Sequence, residues 1–207
     1  MHNIPIVFED DWLVVANKPS GLLTIPTPRN ESRTLTSILN NDLIENGITY
    51  RLHPCHRLDR ETSGLVIYAK GKSIQQKMMD EFKARKVLKT YIAFVRGCPP
   101  KSEGQMNDPI EGQSALTKYK VIGKKEGFSV VEVSPVTGRT NQIRIHFKHL
   151  GNPVLGESKF AFRKDFTIKA KRLCLHAHTL EFKHPMTGKA INLKAGLPQE
   201  MKALMGT

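Results

Sequence analysis

The sequence has few cysteines and no long apolar segment. Its three cysteines, Cys55, Cys98 and Cys174, are an odd number and lie far apart in the 207-residue chain, which argues against a disulfide framework or a clustered zinc site. No stretch approaches the roughly 20 apolar residues of a membrane span, and the N-terminal segment lacks the basic start and apolar middle of a signal peptide. We therefore expect a cytoplasmic protein with reduced thiols.

Acidic residues are also scarce. The chain has 32 lysines and arginines against 19 aspartates and glutamates, a net charge of +13. Such an excess attracts polyanions, so a nucleic acid or an anionic membrane surface becomes a candidate partner. Residues 70–89 contain seven basic and two acidic residues, and residues 159–172 contain six basic residues and one acidic residue. Solvated helix faces also carry such charge, but this density favours a nucleic-acid surface.

Apolar spacing and turn residues predict a mixed α and β organisation. Strands are predicted at residues 4–8, 12–16, 65–69, 91–95, 129–133, 173–182 and 190–194. Helices are predicted at residues 35–43, with Thr34 as the cap and Gly47 as the stop, at 74–82 and at 141–150. Strands next to short turns outnumber strand–helix–strand alternations, so we expect an α+β fold rather than a doubly wound sheet.

One aspartate lies in an unusual setting. Asp59 stands between Arg57 and Arg60 in the stretch HRLDRETSG, directly before an apolar run. An aspartate at a loop–strand junction commonly caps a turn or pairs with an arginine. A nucleophile or general base would instead need a neighbour that keeps it ionised and aimed. The stretch GRTNQIRIH supplies two candidates, because Arg139 and Arg144 lie at the start of a predicted helix and a guanidinium binds carboxylates bidentately.

These two stretches resemble the signatures of the RluA-type pseudouridine synthases. HRLDRETSG is similar to that family's H-R-L-D-x-x-T-S-G, and GRTNQIRIH to its G-R-T-H-Q-I-R-V-H. Further landmarks follow in the family's order: N-K-P-S-G-L at 17–22, K-T-Y at 89–91, L-H-A at 175–177 and H-P at 184–185. The resemblance covers nearly the whole chain. It implies a mainly antiparallel mixed sheet with flanking helices and a basic cleft.

The resemblance also implies catalytic roles. Asp59 is expected to attack the target nucleotide, so that uracil detaches, rotates and rejoins through carbon, and Arg144 to pair with that aspartate. Tyr91 is expected to stack on the extruded base, and its hydroxyl is a candidate for proton removal. A base inside a stack is unreachable, so extrusion costs a few kcal/mol, and an aromatic platform returns about 1–3 kcal/mol per stacked base.

Further residues are assigned to RNA binding. By resemblance, Arg57 fills the space that the flipped base leaves. Arg139, Asn141 and Lys18 are also assigned to RNA contacts, although a turn lysine such as Lys18 fits a solvent-exposed position equally well. The expected partner is transfer RNA or ribosomal RNA. No cofactor or metal is expected, and the chain is expected to be a monomer.

The sequence departs from the family pattern in three places. Asn141 replaces the usual histidine of the second motif, and the segment 111–114 is shorter than in many relatives. The chain is expected to form one catalytic domain over residues 1–207, without the separate N-terminal RNA-binding domain of many relatives. Phe160, Phe162 and Phe166 lie within the 159–172 segment, where they either stack on RNA bases or anchor a loop to the core.

Two other classes of function stay open. The histidine pairs at 53 and 56, 146 and 149, and 176 and 178 allow a metal-dependent hydrolase, although no H-E-x-x-H motif or clear carboxylate ligand accompanies them. A noncatalytic RNA-binding protein on the same fold is the second alternative. The presence of Asp59, Tyr91 and Arg144 together argues against it, since RNA binding alone does not require all three.

Overall fold

The computed structural model describes residues 4–29, 31–161 and 166–206. The strands are β1 (Ile6–Glu9), β2 (Leu13–Lys18), β3 (Leu52–Pro54), β4 (Ser63–Lys70), β5 (Leu88–Arg96), β6 (Glu103–Met106), β7 (Thr117–Lys125), β8 (Phe128–Pro135), β9 (Leu175–Lys183) and β10 (Ala190–Lys194). The helices are α1 (Leu35–Glu45), α2 (Lys72–Lys83), α3 (Gln142–His149) and α4 (Gln199–Met205). Residue contacts divide the chain into two compact units. Unit 1 contains Met1–Leu88 and Thr179–Ala195, and unit 2 contains Lys89–His178 and Gly196–Thr207.

Unit 1 is built on antiparallel strand pairs. β2 pairs with β1 on one side and with β4 on the other, β3 also pairs with β4, and β10 pairs with β9. β4 is buried along nearly its whole length, as its continuous apolar sequence predicts for a central strand. Its alternate residues Leu65, Ile67 and Ala69 form a core with Leu13 and Val15 of β2, and Met78 of α2 also packs into this core.

The two helices of unit 1 are stabilised in different ways. α1 begins with a capping box, in which Thr34 Oγ1 accepts from Ser37 N at 3.1 Å and Ser37 Oγ accepts from Thr34 N at 2.9 Å, so its first turn is satisfied locally. α2 follows Gly71, its N-cap residue, which provides no side-chain hydrogen bond to the first turn. It is held instead by its apolar face, since Ile74, Met78 and Phe82 pack on the core. Its lysines lie outside that face.

Unit 2 contains the antiparallel strand order β5-β8-β7-β6. β5 contributes the buried run from Tyr91 to Val95, and β7 and β8 form a hairpin whose register shifts between Val121 and Gly123. α3 places Ile143 and Phe147 in the interior, and the Phe147 ring packs edge-on against Tyr119 of β7 at 5.8 Å. The core of this unit therefore fixes α3, which carries part of the second motif.

The predicted α+β fold class is confirmed by the structure. Each predicted helix and strand is present, with ends that differ by a few residues from the sequence-based bounds. Prediction missed β3, β6, β7 and α4. Prediction missed β7 although its first residues alternate, with Thr117, Tyr119 and Val121 more buried than Lys118 and Lys120, as in a half-buried strand. Within the described ranges, no helix is long and apolar enough to cross a membrane.

Candidate active site

Asp59 lies in a loop of unit 1 that joins β3 to β4. We call residues 55–62 the aspartate loop. The Asp59 side chain is half-buried, Leu58 beside it is buried, and Arg57 and Arg60 are exposed. At the loop's N-terminal end, Cys55 N donates to Ile67 O at 2.9 Å, and His56 Nε2 accepts from Ile67 N at 3.0 Å. The His56 ring is therefore a strand partner of β4 in this structure.

Thr24 holds the middle of the aspartate loop through a reciprocal pair of hydrogen bonds. Its Oγ1 donates to the carbonyl of Leu58 and accepts from the amide of the same residue, both at 3.1 Å. Thr24 and Leu58 are both buried, so these two backbone groups have lost their contact with water. One hydroxyl thus satisfies both polar groups of the residue that directly precedes Asp59.

Lys18 holds Arg60, the residue of the aspartate loop that directly follows Asp59. Its Nζ donates to the carbonyl oxygens of Pro19 at 3.0 Å, Leu22 at 2.6 Å and Arg60 at 3.0 Å. Gly21 N donates to the same Arg60 carbonyl at 2.8 Å, from a backbone with φ of 84° that favours glycine. The turn of residues 18–22 and the aspartate loop are therefore one hydrogen-bonded assembly.

The position of Lys18 bears on its predicted contact with RNA. The side chain is fully buried, and neither of the two sequence-based interpretations, a phosphate contact or an exposed turn lysine, places it there. A phosphate contact would require the ammonium to leave three carbonyl oxygens. In this structure the residue acts on the backbone around Asp59.

A cavity of about 780 Å³ lies beside this assembly within unit 1. Its wall includes Leu22 and Leu23 of the turn, Ile38 of α1, and the two arginines Arg33 and Arg60. Glu31 also lines it and binds Arg60 Nη2 at 3.1 Å. The cavity combines apolar side chains with two guanidinium groups and one carboxylate, and Asp59 is not among the residues that line it.

In unit 2, Gln142 organises the second motif. Its side-chain oxygen accepts from Thr137 Oγ1 at 2.7 Å and from Arg139 N at 3.0 Å, and its nitrogen donates to Leu116 O at 3.0 Å and Thr117 Oγ1 at 2.9 Å. The side chain is buried. These four bonds fix the turn before α3 and leave Arg139 exposed, with its Nε donating to Ser114 O at 3.1 Å.

Arg144 lies on the first turn of α3, as the spacing predicts, and is buried. Its Nε and Nη2 donate to the two carboxylate oxygens of Glu157 at 2.7 and 2.8 Å. Its Nη1 donates to Asn141 Oδ1 at 3.0 Å. Asn141 has a φ of 55°, a left-handed conformation that asparagine tolerates better than most residues. The residue that departs from the family pattern thus contacts Arg144 directly.

Glu157 is ionised in this setting. Burial by itself would raise the pKa of its carboxyl, but the hydrogen bonds from Arg144 and from the amides of Lys159 and Phe160 outweigh burial and lower the pKa below its ordinary value. The Phe160 ring lies 5.3 Å from Arg144 Cζ, within the range of a cation–π contact. Phe162 and the segment 162–165 of the basic stretch lie outside the described residues.

Tyr91 is buried on β5 opposite Val133 of β8. Two residues before it, Lys89 is half-buried, and burial lowers the pKa of its ammonium. Unit 2 therefore holds Tyr91, Arg139, Asn141 and Arg144, while unit 1 holds Lys18, Arg57 and Asp59.

Two histidines of the alternative metal hypothesis, His56 and His146, have structural partners. His146 is buried between Thr117 Oγ1 at 2.9 Å and Asp108 O at 3.0 Å, and His56 supports β4. Over the described ranges, no three His, Cys, Asp or Glu side chains are grouped so that they could hold a metal ion. The positions of His56 and His146 therefore have an explanation in local structure.

Sequence reasoning did not identify Ser20, Thr24, Gln142 or Glu157. Ser20 Oγ donates to Glu61 O at 2.6 Å, so the turn contributes a further bond to the aspartate loop. Ser20 lies inside the N-K-P-S-G-L landmark and Gln142 inside the second motif, so their proximity to the predicted site was a usable signal. Thr24 and Glu157 stand in stretches without a motif, and only the structure relates them to the site.

Comparisons with known proteins match a region that contains both sequence motifs. The family of RNA pseudouridylate synthases matches residues 12–149. The dual-specificity RNA pseudouridine synthase RluA of Haemophilus influenzae is 33% identical over 93% of this chain and 92% of its own length. An uncharacterized RNA pseudouridine synthase of Bacillus subtilis, YlyB, is 32% identical over 98% of this chain and 72% of its own.

A solved structure is similar over nearly the whole chain. Human RNA pseudouridylate synthase domain containing 4 superposes with a TM-score of 0.83 at 26% identity, covering 97% of this chain and 91% of the human one. The match of the sequence family therefore extends to the arrangement of helices and strands.

Proposed function

The chain belongs to the RluA-type RNA pseudouridine synthases, and from this membership we propose that it isomerises specific uridines of transfer RNA, ribosomal RNA or both, with Asp59 as the nucleophile. The reaction class itself follows from the family: the protein is an isomerase that acts on RNA. The proposal concerns the target and the residues that carry out the chemistry.

The reaction rearranges bonds without a second substrate. Asp59 forms a bond to the ribose as the bond from the ribose to the uracil nitrogen breaks, the base rotates, and a bond from the ribose to a uracil carbon forms as the bond to Asp59 breaks. One proton leaves that carbon and one is gained by the released nitrogen, so atoms and electrons balance within the nucleotide. A carboxylate nucleophile, a residue that moves a proton and a means of holding the loose base are sufficient.

The observation that best supports Asp59 is the support of its loop. Thr24 binds both backbone groups of Leu58, Lys18 and Gly21 bind the carbonyl of Arg60, and Ser20 binds that of Glu61. The backbone on both sides of Asp59 is thereby fixed, while its side chain stays half-exposed. A nucleophile works best when the surrounding structure holds it in place before the substrate arrives.

Arg144 and Tyr91 take their proposed roles from the family resemblance. Arg144 keeps the nucleophile ionised, and its buried position beside Glu157 and Asn141 gives it a defined orientation. Tyr91 stacks on the extruded uracil and takes part in removal of the proton from carbon. Its place on a paired, buried strand supports a fixed ring.

RNA binding is proposed for the exposed basic side chains. Arg57 is exposed next to Asp59, where it can fill the space of the extruded base, and Arg139 is exposed at the start of α3. Lysines of α2 and the 159–172 segment bind phosphates without reading sequence. The name of the relative from Haemophilus influenzae, dual-specificity, supports more than one RNA target.

The experiment that tests the proposal is a comparison of pseudouridine maps. Total RNA from wild-type cells, from cells lacking this gene and from cells that express only Asp59→Asn is mapped for pseudouridine. We expect one or a few positions to be lost in both mutant strains. Identical maps in all three strains would refute the proposed activity. A map restored by Asp59→Asn would favour the noncatalytic RNA-binding alternative.

A further inference from the structure

We propose that Glu157 is a positioning residue for Arg144, and that its carboxylate fixes the orientation of the guanidinium for catalysis. This inference rests on the proposed function, in which Arg144 keeps the nucleophile ionised. Glu157 itself is given no contact with the substrate. It acts through the arginine.

The geometry constrains the guanidinium on more than one side. Two parallel hydrogen bonds of 2.7 and 2.8 Å join Nε and Nη2 of Arg144 to the two oxygens of Glu157. Asn141 Oδ1 accepts from Nη1 at 3.0 Å, and the Phe160 ring lies 5.3 Å from Cζ. A planar group with a carboxylate on one edge, an amide at the next nitrogen and an aromatic ring nearby has little freedom to rotate.

The pair is not needed to hold α3. The start of this helix is already fixed by the four hydrogen bonds of Gln142, and Ile143 and Phe147 anchor it in the interior. A buried ion pair is also weak evidence of a role in stability, because desolvation of both charges offsets much of their attraction. The orientation of Arg144 is what remains for Glu157 to control.

Glu157 is itself held by its own loop. Its Oε1 accepts from the amide of Lys159 at 2.7 Å and from that of Phe160 at 3.2 Å. Its side chain is 0% exposed and that of Arg144 is 3% exposed, so water does not compete for these bonds. The position of the guanidinium therefore depends, through the carboxylate, on the backbone of residues 157–160.

A double-mutant cycle tests the inference. Glu157→Gln, Arg144→Lys and the double variant are compared with the wild type in single-turnover pseudouridine formation, with total RNA from cells lacking this gene as the substrate. We expect Glu157→Gln to lower the rate constant about 10- to 100-fold, the range found when the support of a functional group is lost. The RNA concentration at half-maximal rate should change little. In the Arg144→Lys background the same substitution should have almost no further effect.

Asn152→Ala is the matched control. It removes a hydrogen bond of 2.8 Å from Asn152 Nδ2 to Arg96 O, also in unit 2, but it does not touch Arg144. We expect this variant to keep a wild-type rate. Both variants are assayed under conditions in which circular dichroism shows them fully folded, so that a lower rate confined to Glu157→Gln cannot result from unfolding.

The outcomes are separable. A wild-type rate in folded Glu157→Gln, or equal losses from it in both backgrounds, would overturn the inference. A wild-type rate in Arg144→Lys and Arg144→Ala would instead refute the role of Arg144 in the proposed function. If Glu157→Gln does not fold, Glu157→Asp replaces it in the cycle, and the Arg144 Nε–H resonance is followed by ¹⁵N NMR. A shifted resonance with a loss that depends on Arg144 supports the inference, and an unshifted resonance overturns it.

Discussion

The ammonium nitrogen of Lys18 lies 3.0 Å from the carbonyl oxygen of Arg60, and this bond joins the end of β2 to the loop that carries Asp59. The same ammonium binds the carbonyls of Pro19 and Leu22. Because the side chain of Lys18 is buried, the ammonium that binds these three oxygens is itself shielded from water. The N-K-P-S-G-L landmark thereby acquires a physical role: it shapes the surroundings of Asp59.

Lys18→Met should therefore reduce both stability and activity. Methionine keeps the apolar stem but removes the side-chain donor from three carbonyls, of which that of Arg60 keeps its bond from Gly21 N. We expect a free energy of unfolding lower by about 1–3 kcal/mol and a single-turnover rate lower by about 100-fold, since small displacements of the proposed nucleophile are costly. Urea unfolding and pseudouridine formation measure the two effects.

Lys70→Met is the control for this prediction. The ammonium of Lys70 binds a carboxylate instead of backbone carbonyls, that of Glu9 at 2.7 Å, but this glutamate is half-exposed, and surface pairs contribute about 1 kcal/mol or less. Equal losses of stability in Lys18→Met and Lys70→Met would contradict the role assigned to Lys18.

Asp59→Asn should abolish turnover while the fold and RNA binding persist. The amide has the shape of the carboxyl but lacks the negative charge that attacks the ribose. Circular dichroism, RNA binding and pseudouridine formation are measured on the same preparation. Asp80→Asn, in an exposed aspartate of α2, is the control and should stay fully active. Pseudouridine formed by pure Asp59→Asn would exclude Asp59 as the nucleophile.

Tyr91→Phe and Tyr91→Ala should separate stacking from proton transfer. Phenylalanine keeps the ring platform, whereas alanine loses the ring and the hydroxyl together. We expect Tyr91→Phe to bind RNA as the wild type does but to stall after the nucleophile attacks, and Tyr91→Ala to lose binding of the extruded base as well. Rapid-quench analysis of intermediates distinguishes the two. Wild-type rates in both variants would remove Tyr91 from the active site.

Arg57→Ala should slow the reaction more on a folded RNA than on an unstructured strand. Arg57 is proposed to stabilise the extruded state, and extrusion from a stacked helix costs a few kcal/mol more than from a loose strand. Single-turnover rates on matched folded and unfolded substrates give the comparison. An equal loss on both substrates would make Arg57 an ordinary phosphate contact.

Lys77→Glu is the control for this prediction, because its effect should be the same on folded and on unstructured RNA. Lys77 is exposed on α2, so reversal of its charge should weaken binding to every RNA alike. The slope of log affinity against log salt should become shallower by about 0.7–0.9 if one phosphate contact is lost. Preserved affinity and slope would indicate that this face of α2 does not bind RNA.

Glu157 should make part of the stability of the protein dependent on pH. Its folded pKa lies below the ordinary value of 4.5, so its contribution is present above that value and is lost as the pH falls through the folded pKa. At neutral pH, Glu157→Gln should cost about 3–5 kcal/mol, because it leaves Arg144 without its carboxylate. The difference between the melting temperatures of the wild type and Glu157→Gln should become smaller below about pH 4.5. A gap unchanged at about pH 3 would contradict the assignment.

Local signals predicted much of the fold from the sequence. The capping box at Thr34 and the apolar face of α2 are decided by neighbouring residues, and both lie where the spacing predicts. The three-residue strand β3 is instead defined by its pairing with β4. Which strands pair leaves little trace in a single sequence, and so short a strand has almost no alternation to reveal it.

The aspartate loop could be predicted because HRLDRETSG is a contiguous motif. The residues that bind its backbone could not, because they are distant in the sequence: Thr24 precedes Leu58 by 34 positions and Lys18 precedes Arg60 by 42. Glu157 likewise follows Arg144 by 13 positions, in a stretch without a motif. Such contacts depend on how the chain folds back on itself.

Thr24, Lys18 and Ser20 hold the aspartate loop through main-chain atoms alone. The identities of Arg57 and Arg60 are therefore not required for the loop to keep its shape. Arg57 is tied to the proposed extrusion of the base, but the side chain of Arg60 can be exchanged without loss of these main-chain bonds. A library that varies the surface beside Asp59 should therefore randomise position 60 and leave 18, 20, 24 and 57 untouched.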